Sequence, residues 1–119
     1  MIEQKVGIIT NTFLGHESHG IFTFVLDIDT DTSYDVLGTV CLSYRPNGDT
    51  DRYNPLIGEA IGKICAAMGV KCWEELKGKT VFFTRDNKTR FVVSIEAPPF
   101  VPHGPAYNIN DHLGQEVDY

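Results

Sequence analysis

Residues 54–69 have the sequence NPLIGEAIGKICAAMG, which predicts the one long helix of this chain. Asn54 suits the N-cap position, and Pro55 suits the first turn, where its missing N–H costs no hydrogen bond. Gly69 suits the C′ position at which a helix ends. Apolar side chains recur every three or four residues and form one stripe: Ile57, Ile61, Ile64, Cys65 and Met68.

Extended segments lie on both sides of this helix. Residues 5–13, 21–29 and 37–44 precede it and are rich in β-branched and aromatic side chains, as strands are. Residues 80–84 and 90–95 follow it and are joined by a polar turn. The order β-β-β-α-β-β separates the strands into two hairpin groups. We therefore predict an α+β fold, in which a mostly antiparallel sheet carries one main helix on one face.

The chain has 119 residues, a length that suits one domain. A chain of this length buries roughly two-thirds of its unfolded surface, which is enough for one hydrophobic core. From residue 98 onward the composition shifts to proline, glycine and asparagine. We therefore predict a core domain over residues 1–97 and an irregular, proline-rich tail over residues 98–119.

The net charge of −6, from 16 acidic and 10 basic residues, disfavours several kinds of partner. Proteins that bind nucleic acids concentrate lysine and arginine, and no such run occurs here. An acidic chain can still imitate a nucleic acid and occupy a basic groove on another protein. Since no apolar stretch approaches the ~20 residues that span a bilayer, a membrane is not an expected partner either.

The cysteines indicate a reducing compartment. Cys41, Cys65 and Cys72 form no CxxC motif, and the first residues do not resemble a signal peptide. No neighbouring motif would lower the pKa of a thiol, as a catalytic cysteine requires. We therefore expect reduced thiols and a cytoplasmic protein.

The acidic residues between positions 27 and 35 do not fit a calcium loop. Asp27, Asp29 and Asp31 alternate as EF-hand ligands do, but Thr32 stands at the sixth position and Gly38 at the twelfth. The histidines have no cysteine nearby and lack the four-ligand spacing of a zinc site. We therefore predict a solvated acidic loop, no metal site and no cofactor.

Motifs of catalysis are missing from the sequence. It contains no GxxxxGK[ST], GxGxxG or GxSxG motif, and no visible pairing of a nucleophile with a base. The chain is therefore expected to bind a partner rather than to convert a substrate, and a hydrolase is the least favoured interpretation.

Two glycines lie one turn apart inside the predicted helix. Gly58 and Gly62 each cost about 1 kcal/mol relative to alanine, so a close contact of another backbone is the expected reason for them. That backbone belongs either to the sheet beneath the helix or to the same helix of a second subunit.

Arginines and aromatic residues alternate at predicted turns and element ends. Arg45 and Arg52 stand beside Tyr44 and Tyr53, and a second such group consists of Arg85, Arg90, Phe83 and Phe91. Such residues are either solvated or converge on a nucleotide, with arginine on a phosphate and an aromatic face on the base.

Two stretches resemble the phage Thoeris anti-defence sponges. Residues 14–23, LGHESHGIFT, and residues 68–79, MGVKCWEELKGK, are similar to motifs of that family. Residues 38–44 stand where the family has a glycine-rich strand, and Phe100 with Pro102 where it has a closing aromatic–proline segment. The resemblance covers most of residues 5–102.

The resemblance implies a protein that captures cyclic ADP-ribose-type immune signals, or related cyclic oligonucleotides, without cleaving them. It also implies an antiparallel sheet, a helix over residues 55–68 that pairs subunits, further assembly to hexamers, and action in the cytoplasm of an infected bacterium. The candidate ligand-binding residues are His19, Arg45, Arg52, Tyr53, Asn54, Phe83, Arg85 and Arg90.

The sequence departs from the family in three places. The loop between residues 27 and 37 is longer and acidic, Ser18 replaces an aspartate, and residues 103–119 have no counterpart. The identity of the ligand therefore stays open. The alternative interpretation is an acidic inhibitor that binds a bacterial defence protein directly, as anti-CRISPR and anti-restriction proteins do.

Overall fold

The computed structural model describes residues 2–18, 22–38, 43–44, 52–53 and 57–109. In these residues eight strands, one α-helix and a 3₁₀ turn follow one another along the chain. Their bounds are β1 Ile2–His16, β2 Phe22–Asp29, β3 Tyr34–Gly38, β4 Ser43–Tyr44, β5 Arg52–Tyr53, α1 Ile57–Met68, the 3₁₀ turn Trp73–Leu76, β6 Thr80–Asp86, β7 Val92–Glu96 and β8 Tyr107–Asn108.

Six of the strands form one antiparallel sheet in the order β3-β2-β1-β6-β7-β8. The long strand β1 lies in the middle, because its second half pairs with β2 and its first half pairs with β6. The register with β2 shifts between Ile9 and Asn11. Strands β4 and β5 pair with each other in a separate two-stranded sheet. The predicted α+β fold is confirmed.

The core lies between one face of the sheet and α1. Alternate residues of each long strand point to this side, as the two-residue period of a strand requires. The buried apolar side chains pack into one cluster: Ile9, Phe24, Leu26, Ile28, Leu37, Ile64, Ala67, Met68, Leu76, Val81, Phe83, Val92, Ile95, Tyr107 and Ile109.

Helix α1 is rotated slightly from the predicted apolar stripe. It buries Ala60, Ile64, Ala67 and Met68, whereas Ile57, Ile61 and Cys65 are half-buried. Two alanines therefore face the core where the sequence pattern favoured isoleucine. Small side chains there let the helix backbone approach the sheet, and the Ala67 carbonyl oxygen accepts a hydrogen bond from the Ala97 N–H.

The acidic segment and the tail are more regular than predicted. Strand β2 continues to Asp29 and β3 begins at Tyr34, so the acidic segment is a tight hairpin and not a long loop. In the tail, Tyr107–Asn108 pairs with β7 as the edge strand β8. The buried side chain of Tyr107 joins the core, which explains why a proline-rich segment returns to the sheet.

Helix α1 spans 12 residues. Among the residues that the structure describes, no helix combines the length and the apolar character needed to cross a bilayer.

Candidate functional site

Several predicted ligand residues lie at or beyond the limits of what the structure describes. His19, Arg45 and Asn54 fall outside the described residues. Arg52 and Tyr53 form β5, where Arg52 pairs with Tyr44 of β4. Their assignment to a ligand site stays a prediction.

Phe83 belongs to the core and not to a binding surface. Only 1% of it is exposed, and it points inward from β6 with its neighbours in the cluster. A ring enclosed by core side chains has no free face for a nucleotide base. The prediction that Phe83 stacks on a ligand is therefore wrong, because β6 places every second residue from Val81 onward on the core side.

Arg85 follows the same inward alternation and is 6% exposed. Its Nη1 lies 3.0 Å from Oδ1 of Asp35, which is also buried. The buried guanidinium therefore balances a carboxylate of this chain, and its assignment to an exposed anion site is wrong. Arg90 is exposed at the tip of the β6–β7 hairpin, where it adopts a φ of 69° and donates its N–H to the Asp86 carbonyl oxygen at 2.7 Å. The two arginines do not share a surface.

Hydrogen bonds continue from Asp35 into the turn between β2 and β3. The Ser33 hydroxyl donates to Oδ2 of Asp35 at 2.8 Å, and it lies 2.8 Å from the Thr30 hydroxyl. Nζ of Lys5 donates to the same serine at 3.5 Å. This network fixes the turn to the core and belongs to the architecture of the sheet.

A cavity of about 290 Å³ lies where the end of α1 meets the start of β6. Its lining comes from three separate stretches of the chain: Met68, Gly69 and Val70; Gly78, Lys79 and Thr80; and Ala97, Pro98, Phe100 and Val101. We call this space the helix-end cavity. Of the predicted ligand residues that the structure describes, Phe83, Arg85 and Arg90 do not line it.

Main-chain hydrogen bonds hold the walls of the helix-end cavity. The Gly104 N–H donates to the Ala66 carbonyl oxygen at 2.7 Å, and the Ala97 N–H donates to that of Ala67. These two hydrogen bonds hold residues 97–104 across the end of α1. Gly69 has a φ of 67°, and a Cβ there would collide with the Pro102 carbonyl oxygen. Glycine is therefore required at this helix end, as its sequence position predicts.

The helix-end cavity combines apolar walls with one cation and one aromatic ring. Lys79 is exposed and carries the positive charge among the lining residues. Phe100 is 83% exposed, which leaves its ring open to a flat ligand. Gly78 has a φ of 91°, and an added Cβ there would meet no described atom within 4 Å. The arrangement can accept an anionic group at Lys79 and a ring against Phe100.

No three histidine, cysteine or carboxylate groups of the described residues lie close enough to hold a metal ion. Burial raises the pKa of the Cys65 thiol above its usual value, with further contributions from Cys72 and nearby glutamates. A raised pKa keeps this thiol protonated and unreactive near neutral pH.

The helix-end cavity is the feature that reasoning from the sequence missed as a site. In the sequence, residues 68–70 and 78–79 belong to a family motif, Gly69 also indicates the end of the helix, and Phe100 belongs to a closing segment; none of these patterns predicts a binding site. The available signal was a pair of glycines, Gly69 and Gly78, flanking a short helical turn. Positive φ at both ends of such a turn brings distant backbone segments together.

No family model, curated protein or solved structure matches this chain.

Proposed function

We propose that this protein binds a cyclic nucleotide signal of the cyclic ADP-ribose type, or a related cyclic oligonucleotide, and sequesters it without cleavage in an infected bacterial cell. One observation carries the proposal. The two ends of the 68–79 stretch, residues 68–70 and 78–79, line the same helix-end cavity as Phe100, and all of them belong to the segments that resemble Thoeris anti-defence sponges.

The chemistry of the helix-end cavity suits a nucleotide. A protein of charge −6 repels a phosphorylated ligand on average, so it needs a local cation to hold the phosphate. Lys79 supplies that charge, and Phe100 offers a face on which a base can stack. At about 290 Å³ the cavity is just below the range for ligand pockets, roughly 300–1,000 Å³. A cyclic dinucleotide would therefore extend past Phe100.

Assembly into a homo-oligomer, through pairs of α1 and further to a hexamer, is the second part of the proposal. Gly58 and Gly62 are exposed, and a Cβ added at either position would meet no described atom within 4 Å. Contact with the sheet beneath therefore does not account for these glycines. A two-fold contact between helices would place the same small-residue face against itself.

The direct test is calorimetry with cyclic ADP-ribose and, separately, with a cyclic dinucleotide. Saturable binding of one of them is expected, followed by recovery of the intact molecule after the protein is denatured. The proposal fails if neither compound binds at millimolar concentration. Recovery of a linear product would show that the protein is an enzyme instead.

A further inference from the structure

The face of the sheet opposite α1 carries exposed apolar side chains. Along β1, Gly7 and Ile9 are buried toward the core, whereas Val6 and Ile8 point the other way and are 53% and 48% exposed. Val6 stands opposite Phe82 of β6 in the register. Val6 and Ile8 therefore lie beside the half-buried Phe82 and form with it an apolar surface that a partner can cover.

Val6 and Ile8 form the floor of a groove of about 540 Å³ on this face. Thr10 and Thr80 line it with hydroxyl groups, and Asp29 and Asp31 line it with carboxylates. We call this feature the outer groove. It differs from the helix-end cavity in charge, since the outer groove is lined by two carboxylates and by no described lysine or arginine.

The carboxylate side of the outer groove is held in place before any partner arrives. Asp29 ends β2, and Asp31 lies in the following turn, where the Thr30 hydroxyl accepts hydrogen bonds from the N–H groups of Thr32 and Ser33. The Thr30 N–H also donates to the Ser33 carbonyl oxygen at 2.9 Å. A turn closed in this way presents its charge with little loss of conformational entropy on binding.

We propose that the outer groove binds an extended basic segment of another protein, in which lysine or arginine and aliphatic side chains occupy every second position and so face the groove together. An extended segment of this kind places its apolar side chains on Val6 and Ile8 and its cations on Asp29 and Asp31. Charge complementarity selects this occupant over a second copy of the chain. A two-fold contact would bring two acidic grooves together, and the cross-strand neighbours Gln4, Thr84 and Asn11 supply no cation to offset them.

A suitable probe is a short synthetic peptide in which leucine and lysine occupy every second position in turn, with threonine between them, and the same peptide with glutamate in place of lysine is its matched control. We expect the basic peptide to bind and to shift the amide resonances of Val6, Ile8 and Asp31, and the acidic peptide not to bind. The combined change Asp29→Asn and Asp31→Asn should lower the affinity roughly five- to tenfold, since exposed ion pairs contribute modestly each. The change Ile8→Thr, which preserves β-propensity, should also weaken binding.

The matched variant is Glu59→Gln with Glu74→Gln, which removes the same amount of charge from exposed positions outside the groove. It should change the affinity less than twofold, because the screened interaction falls off over about 10 Å. An equal loss of peptide affinity in the two double variants would overturn the proposal. So would a result in which the peptide shifts only amide resonances of residues outside the outer groove. A wild-type dimer that dissociates with Ile8→Thr would show that a second copy covers the groove. Binding of cyclic nucleotide should be unaffected by all these changes, so the two proposals fail separately.

Discussion

Arg85 of β6 and Asp35 of β3 form a buried ion pair at 3.0 Å, although two strands lie between them in the sheet. The order β3-β2-β1-β6 means that a flat sheet would hold these side chains far apart. The sheet therefore curls around the core until β3 contacts β7 and Asp35 reaches Arg85 of β6. The ion pair joins β3 to β6 across the buried side of the sheet.

Loss of one partner of this pair should destabilise the protein strongly. Arg85→Met leaves the Asp35 carboxylate buried without its counter-charge, which costs about 3–5 kcal/mol in the free energy of unfolding. The double variant Asp35→Leu with Arg85→Met removes both charges and should recover most of this loss. Urea denaturation measures both values.

The exposed pair Lys63–Glu59, also at 3.0 Å, is the control, because both side chains are about half exposed. Lys63→Ala should cost well under ~1 kcal/mol. A double variant at positions 35 and 85 that is no more stable than Arg85→Met would show that the pair has a role beyond charge compensation.

The helix and the two hairpin groups could be predicted because their signals are local. The cap predicted at Asn54, the C′ glycine at Gly69 and the apolar spacing between them bracket α1 within a few residues. Strand β8 gave no such signal, since a two-residue strand depends on the free edge of β7 and on burial of Tyr107. Local composition carries no information about that edge.

The candidate site was harder to predict, because contacts between residues that are distant in sequence decide which side chains are buried and which line a cavity. The alternation of Val81 and Phe83 in β6 already indicated that Arg85 points inward, but its partner Asp35 is fifty positions away. An arginine at a strand end therefore looked exposed. Likewise, the helix-end cavity exists only because residues 97–104 cross the end of α1, a contact that no local motif encodes.

Tyr34 should titrate later than an ordinary tyrosine. Its hydroxyl donates to Oδ1 of Asp27 at 2.6 Å, and this hydrogen bond, followed by desolvation and the charges of Asp27 and Asp29, raises the pKa of the phenol above its ordinary value of 10.0. The bond is intact below pH 10.0 and is lost as the pH rises through the higher folded pKa, so any stability it contributes is lost there. Phenolate absorbance during a pH titration measures the shift.

Asp27→Asn is the informative variant for this titration. It removes the charge beside the phenol but keeps an oxygen that can accept the hydrogen bond. The pKa of Tyr34 should then move back toward 10.0. An unchanged titration curve would mean that the Asp27 contact does not persist in solution.

Two residues of the helix-end cavity should control ligand affinity. Lys79→Ala removes a charge-assisted phosphate contact and should weaken nucleotide binding by about 1.5–3 kcal/mol, roughly ten- to a hundredfold. Phe100→Ala removes a stacking face and should cost about 1–3 kcal/mol. The exposed residues Lys63 and Phe91 lie outside this cavity, so Lys63→Ala and Phe91→Ala should leave the affinity unchanged.

The same calorimetry shows at which end of α1 the nucleotide binds. Arg45 and Arg52 precede the helix in sequence, whereas Lys79 lies near its C-terminal end, and the 12 residues of α1 extend over about 18 Å. The site predicted from the sequence at Arg45 and Arg52 would use the positive end of the helix dipole, which favours a phosphate. If Arg45→Ala and Arg52→Ala lower the affinity while Lys79→Ala does not, the ligand binds before α1 and the helix-end cavity is not the site.

Gly62→Leu should prevent assembly through α1 without destabilising the folded monomer. The position is exposed, and a Cβ there would meet no described atom within 4 Å, so leucine should fit the monomer. Leucine also favours the helix by up to about 1 kcal/mol relative to glycine, so thermal stability of the monomer should rise or stay constant. The bulkier side chain should nevertheless prevent close contact of two helices, and light scattering should report a smaller mass. Lys63→Leu adds leucine at the next position and should leave the mass unchanged. A wild-type chain that is already monomeric at micromolar concentration would rule out pairing through α1.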